Sequence, residues 1–241
     1  SVTDMSSMFN GAAVFNGNIT GWNTGNVTSM SYMFNGASAF NQPIGSWNTR
    51  NVTSMSYMFN GATAFNQNLS GWNTSAVTTM ANMFWSASAF NGNITDWNTG
   101  NVATMNSMFS TATAFNQPIG AWNTRNVTDM GWMFYTAAAF NQNLSAWNTS
   151  AVTTMISMFE NVTLSTPNYD SLLLGWGSRV QQNGVNFHGG NSRYTAAGLV
   201  GRNILTGTYG WIITDGGIYP SPFSATWNTS QNSSAGSTNT T

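Results

Sequence analysis

Few residues in this chain are equipped for acid–base, nucleophilic or metal chemistry. Apart from tyrosines and the chain termini, the ionisable set is Arg50, Arg125, Arg179, Arg193, Arg202, Asp4, Asp96, Asp129, Asp170, Asp215, Glu160 and His188. Catalysis by proton transfer or covalent attack needs several such groups converging in one pocket. Asp170, His188 and Ser192 hold the three residue types of a hydrolase triad, but no nucleophile-elbow motif accompanies the serine. There is no P-loop, no dinucleotide fingerprint, and no cluster of histidines and carboxylates spaced for a metal. His188, in GVNFHGGN, reads as a turn or interface residue. Cysteine is absent, which excludes disulfides, zinc fingers and thiol nucleophiles. The expectation is a protein that is not an enzyme and carries no metal or cofactor.

The chemistry present in quantity is that of amides and hydroxyls, and a repeat positions it. Trp22, Trp47, Trp72, Trp97, Trp122 and Trp147 are each 25 residues apart, as are Met5 through Met155 and Phe15 through Phe140. A fixed period of this length is the signature of a solenoid, whose single turns cannot bury their apolar side alone. The words before each Trp (GNIT, QPIG, QNLS) and after it (NTG, NTR, NTS) recur in threes, so a 75-residue block has been duplicated. Within one unit, Val52, Met55, Met58, Phe59 and Ala62 fall at the spacing of one helix face, with Thr53 or Ser54 as N-cap and Asn60-Gly61 as stop. Ile44 to Thr49 reads as a short strand, with Pro43 just before it. Stacked strands would then pair in parallel at about 4.8 Å per unit, giving a rod about 30 Å long for six units. The Trp, Met, Phe and Ile columns read as core. The Asn after each column Phe (Asn16, Asn41, Asn66, Asn91, Asn116, Asn141) reads as a buried amide ladder serving turn backbone.

The phrase W-N-T-x-N-V-T-x-M-x-x-M-F-x-x-A-x-x-F-N-x-x-I, carried by residues 1 to 163, resembles the repeat of BspA-like surface proteins, also found in mycoplasma lipoproteins and related to leucine-rich repeats. The segments YDSLLLGW, GVNFHGGNSRYT and TYGWIITDGG resemble the module that closes such arrays. The resemblance implies an α/β solenoid, leucine-rich-repeat-like, with a small α+β cap at its C-terminal end, exposed on a cell surface and without catalytic residues. It places Ile44, Trp47 and Thr49 inward. Ser46 and Asn48 then face outward, making Asn23, Asn48, Asn73, Asn98, Asn123 and Asn148 an exposed ladder on the sheet, able to dock a backbone, a glycan or ice.

Three regions follow: the repeat (1–163), a C-terminal capping module (164–217) and a Ser/Thr/Asn-rich tail (218–241). In the module, Tyr169–Arg179 and Thr195–Leu205 read as helices and 208–214 as a strand. The tail is uncharged; Tyr219, Phe223 and Trp227 in it would anchor an inter-subunit strand. The chain begins at Ser1 within a repeat, which reads as a processed or trimmed chain.

Charged residues make up 5% of the sequence, none of them lysine, and the net charge is −1. That leaves no basic stripe for nucleic acid and no polybasic patch for anionic lipid. No apolar run is long enough to span a membrane. Glycans could supply the missing solvation. N-x-S/T sites occur at Asn18, Asn51, Asn68, Asn93, Asn126, Asn143, Asn228, Asn232 and Asn239, and at Asn73 and Asn148, expected to stay bare. The first functional expectation is a glycosylated extracellular structural protein, the subunit of a surface filament assembled head to tail. The partner is then a second copy, met through Val2, Met5, Met8, Phe9 and the tail. The alternative is a surface adhesin or binding module that holds a host protein, a glycan or ice on its repeated face. Thr columns at 24, 49, 74, 99, 124 and 149 and at 28, 53, 78, 128 and 153 are the basis for ice, interrupted by Ala103.

Overall fold

The computed structural model describes residues 2–220. The repeat folds as a stack of 25-residue units, each hydrogen-bonded to the next. In one unit the amides of Met55, Tyr57, Phe59 and Gly61 donate to the carbonyls of Thr79, Ala81, Met83 and Trp85 in the following unit, at 3.2, 3.0, 2.8 and 2.7 Å. The amides between them turn back: Met58, Asn60 and Ala62 donate to Met55, Tyr57 and Phe59, three residues earlier in each case. An α-helix would send every amide to the fourth residue back. Here Tyr57 (φ 58°) and Gly61 (φ 67°) are left-handed, which directs alternate amides out of the unit. Single-residue parallel bridges set the register, from Asp4↔Ser29 through Ser54↔Thr79 to Asp129↔Thr154.

Both elements expected within the repeat are therefore corrected. Residues 52–62 form no helix: residues 56–61 are turns, and alternate amides from Met55 to Gly61 carry the ladder between units. Residues 44–49 form no strand: Gly45 and Ser46 make a turn, and Trp47 N donates to Ile44 O at 3.1 Å. Side chains join the units there instead. Trp72 Nε1 donates to Ile44 O at 3.0 Å, and Thr49 Oγ1 donates to Asn73 O at 2.9 Å. Apolar spacing specifies which side chains face inward. It does not specify which carbonyl each amide meets.

The inward and outward positions are as expected. Ile44, Trp47 and Thr49 are buried, and Ser46 and Asn48 are exposed. Val52, Met55, Met58, Phe59, Ala62 and Phe65 are fully buried. Their rings pack unit on unit, with Phe34–Phe59 at 5.6 Å and Phe59–Phe65 at 4.0 Å, near parallel.

After the repeat come α1 (Thr166–Gly177), β1 (Asn186–His188), α2 (Ala196–Thr208) and β2 (Ile212–Thr214), with β1 and β2 paired in parallel. Pro167 opens α1, where a missing N–H costs nothing, and Thr195 caps α2 by accepting from Ala197 N. The two helices meet at Gly177 and Gly201; a Cβ on Gly201 would collide with the Leu173 carbonyl. The module continues the stack's hydrogen bonds. Met155 N and Phe159 N donate to Asn186 O and His188 O of β1. Trp176 Nε1 on α1 donates to Leu144 O at 3.1 Å, where a further repeat would place its Trp. Asn168 Nδ2 reaches Asn141, and Gln181 Oε1 accepts from Thr149 Oγ1.

Candidate functional site

The residues that suggested chemistry are all held in structural roles. The Asp170 carboxylate accepts from Thr195 N (2.8 Å) and Thr195 Oγ1 (2.7 Å), steadying the start of α2. His188 Nδ1 accepts from Gly190 N at 3.1 Å. Ser192 is fully buried, and its Oγ accepts from Leu164 N at 2.9 Å. Among the described residues no hydrogen bond joins these three. The strongest ionic contact is elsewhere in the module: Arg202 Nε pairs with Asp215 Oδ2 at 2.9 Å, and Tyr169 OH donates to the same oxygen at 3.0 Å. Burial, reinforced by the Asp215 charge, holds the Tyr169 phenol well above its usual range. Among the described residues there is no group of His, Cys, Asp or Glu able to hold a metal, and no helix is long and apolar enough to cross a membrane.

The amide columns are present but not on a sheet. Asn23, Asn48, Asn73, Asn98 and Asn123 are exposed and Asn148 is half-buried. Each turns its Oδ1 back to an amide two residues on, as Asn73 does to Ser75 N at 3.0 Å. They form turns within their own units, because the backbone beneath them is turn and not strand. The ladder that does run along the stack is the column after each Phe. Asn41 Oδ1 accepts from Asn66 N (3.0 Å) and Gln67 Nε2 (2.7 Å), and the pattern recurs. It lies at the surface, half-buried or exposed, rather than in the core. Of the two threonine columns, Thr24 to Thr149 is buried. The Thr28 column is exposed, but each of its hydroxyls donates to a carbonyl of the preceding unit, as Thr53 Oγ1 does to Thr28 O at 3.1 Å.

The glycosylation candidates Asn18, Asn51, Asn68, Asn93, Asn126 and Asn143 are all exposed. Asn51 and Asn126 spend their Nδ2, the atom a glycan would take, on Gly25 O and Gly100 O. Asn18, Asn68, Asn93 and Asn143 use Oδ1. Asn228, Asn232 and Asn239 lie outside the described residues, as do Phe223 and Trp227. Of the interface candidates, Val2 and Met8 are exposed, Phe9 is half-buried and Met5 is buried. Val2, Met5 and Met8 share a hollow of about 470 Å³ with Trp22. Tyr219 is exposed, and its N donates to Tyr194 O in the end module.

One site escaped the sequence reading. Each unit carries a left-handed residue at one position: Ser7, Tyr32, Tyr57, Asn82, Ser107, Trp132 and Ser157; Ser7, Tyr32 and Trp132 are exposed there and Asn82 is buried. Three residues on, Asn10, Asn35 and Asn60 form an amide ladder with bonds of 2.7 Å. Trp85, Ser110, Tyr135 and Glu160 then replace it. Trp85 and Trp132 are 39% and 41% exposed, large for tryptophan in a chain whose other Trp columns are core. Together Trp85, Ser107, Ser110, Thr111, Trp132, Tyr135 and Glu160 line a cleft of about 470 Å³. Its floor is fixed by a relay: Asp129 accepts from Gly131 N and Asn106 Nδ2, and Asn106 Oδ1 accepts from Ser107 Oγ at 3.0 Å. Thr111 Oγ1 shares a hydrogen bond with Ser86 Oγ at 2.8 Å. The signal for this site was the place where the strict repeat stops being strict.

Residues 1–91 and 66–171 match the family model described as Mycoplasma protein of unknown function, DUF285. The match agrees with the mycoplasma part of the resemblance carried by the repeat phrase. No curated protein and no solved structure matches the chain.

Proposed function

We infer that this chain, which belongs to the family of Mycoplasma proteins of unknown function DUF285, is an extracellular recognition module without catalytic activity. In this reading the stack is a leucine-rich-repeat-like solenoid. It serves as a rigid frame that holds one variable face toward a ligand. The observation that carries the reading is where the variation lies. The core columns repeat their residue types unit after unit, while Trp85, Trp132, Tyr135 and Glu160 break the pattern around one cleft, with the buried Ser110 beneath them. Exposed aromatics on a rigid face are what recognition surfaces are rich in. Surface location is supported by the likeness of the repeat phrase to BspA-like surface proteins.

The test is an array of glycans and of host extracellular proteins, probed with the chain and with the Trp85→Ala/Trp132→Ala variant. Saturable retention that the variant loses, with its thermal midpoint unchanged, is the expected result. No retention, or equal retention by the variant, would overturn the reading.

A second reading, the filament subunit, is favoured by the hollow of Val2, Met5, Met8 and Trp22 on the first described unit, where apolar side chains face out. It ranks below the first because the ladder at the opposite end of the stack is already engaged by β1. Head-to-tail contact would have to use the outer side of the end module. Light scattering of the chain and of a Met8→Asp/Trp22→Asp variant separates the readings. Concentration-dependent growth abolished in the variant supports assembly; a monomer in both excludes it.

A further inference from the structure

The stack has room for one ring per unit. Phe34, Phe59 and Phe84 follow one another at 5.6 and 5.5 Å between centroids, and on the outer face Tyr32 and Tyr57 stack at 4.5 Å. In the column that lines the cleft, successive units carry the exposed Trp85, the buried Ser110 and the half-buried Tyr135. Rings stand on the first and third rungs, and the middle rung carries only a hydroxymethyl group. Ladder-paired backbones are about 4.8 Å apart, so Trp85 and Tyr135 rise from positions separated by about 9.6 Å. Between these two rings the column carries no ring of its own.

We propose that this vacant rung binds a pyranose ring of a neutral glycan, held between Trp85 and Tyr135 over the hydroxyls of Ser107 and Ser110. The proposal rests on the recognition reading and names its ligand class. Thickness is the first argument. A flat ring in van der Waals contact needs about 3.5–4.0 Å on each side, and the rung offers about 4.8 Å. A puckered ring with C–H groups on both faces fills that difference, and those C–H groups pack well on aromatic faces. Polar complementarity is the second. Ser107 Oγ gives its proton to Asn106 Oδ1 and so presents lone pairs to the cleft. Among the described residues Glu160 has no ion-pair partner. The site is thus rich in acceptors and suits a ligand that brings several O–H donors. No arginine or histidine lines it, so nothing there matches a phosphate or sulfate. A planar or quaternary cation drawn by the aromatics and Glu160 is the competing occupant.

The experiment titrates the full chain with maltohexaose, cellohexaose, chitohexaose and mannohexaose, and with choline and guanosine, following tryptophan fluorescence and saturation-transfer NMR. At least one hexasaccharide should bind saturably by about 1 mM. Ser110→Tyr, which fills the rung from the chain itself, should weaken that binding by about tenfold or more at an unchanged thermal midpoint. Trp85→Ala, which removes one wall, should weaken it likewise, so the result does not depend on one variant folding. Binding of choline or guanosine in place of the sugars, no sugar binding, or sugar binding indifferent to both variants would overturn the proposal. The array separates the two claims. A non-sugar ligand whose retention needs Trp85 and Trp132 leaves the recognition reading standing and removes the sugar. An array that retains nothing removes both.

Discussion

Trp97, in the middle of the stack, sends its Nε1 to the Leu69 carbonyl at 3.0 Å; Trp176, on α1 of the end module, sends its own to the Leu144 carbonyl at 3.1 Å. The bond is the same and the backbone that delivers it is not. Gln67 and Asn168 make a second such pair: each donates from a side-chain amide to the carbonyl and Oδ1 of a column Asn, Asn41 and Asn141 respectively. In the stack the Trp contact is repeated by neighbours on both sides, and the Gln contact recurs at Gln42, Gln117 and Gln142. In the end module each is made once, by a helix or strand that also packs on α2 and β2. The lesson is that a stack ends cleanly when a different fold supplies the hydrogen bonds its last unit would otherwise leave open.

That comparison can be broken most sharply at Trp176. Trp176→Ala should cost about 3–5 kcal/mol in urea unfolding. In hydrogen exchange, protection should fall at Met155 N and Phe159 N, which donate to β1, while Met105 N and Phe109 N, inside the stack, stay protected. Asp215→Ala comes next. It leaves Arg202 and the buried Tyr169 hydroxyl without their acceptor. Loss of a fully buried partner costs about 3–5 kcal/mol, and the partial exposure of Arg202 lowers the expectation to about 2–3 kcal/mol. Among the described residues no ion pair lies in the stack, so the loss should appear only in transitions that include the end module.

Alkaline pH is a gentler probe of the same contrast. The Tyr169 phenol is raised in the folded chain above its usual 10.0, chiefly by burial and then by Asp215. Its contribution to stability is therefore complete below pH 10 and is lost as pH climbs from there toward the folded value. Tyr169→Phe should unfold at a lower urea concentration at pH 8 yet lose less stability than the wild type between pH 10 and 11.5, measured by denaturant titration at each pH. The smallest effect sharpens the equivalence. Gln67→Ala and Asn168→Ala should each cost about 0.5–1.5 kcal/mol, and the two values should agree within error. A large excess at Asn168 would show that the end module does more there than imitate a repeat.

The buried side of the molecule was legible because burial leaves a period in the sequence. Ile44, Trp47 and Thr49 face inward as expected, and the Met and Phe columns are core. The backbone between them was not legible. The spacing of Val52, Met55, Met58, Phe59 and Ala62 suits a helix face and an alternating turn equally well, and what decides is the left-handed conformation of Tyr57, a residue that gives no composition signal for it. In the end module both helices were readable from their apolar faces, whereas the three-residue β1 was too short to show alternation. The cleft was missed for a different reason. Attention to what repeats passes over what does not, and Trp85, Ser110, Tyr135 and Glu160 matter because they depart from the asparagine that precedes them in the column.

The central claim is that this departing face is the working surface of the molecule. Its most direct test is the paired array of the chain and its Trp85→Ala/Trp132→Ala variant. The account predicts a ligand retained by the first and lost by the second, at equal thermal midpoints. A ligand held equally by both would contradict it, and would move the working surface to the exposed amides from Asn23 to Asn123 or to the hollow around Val2 and Trp22.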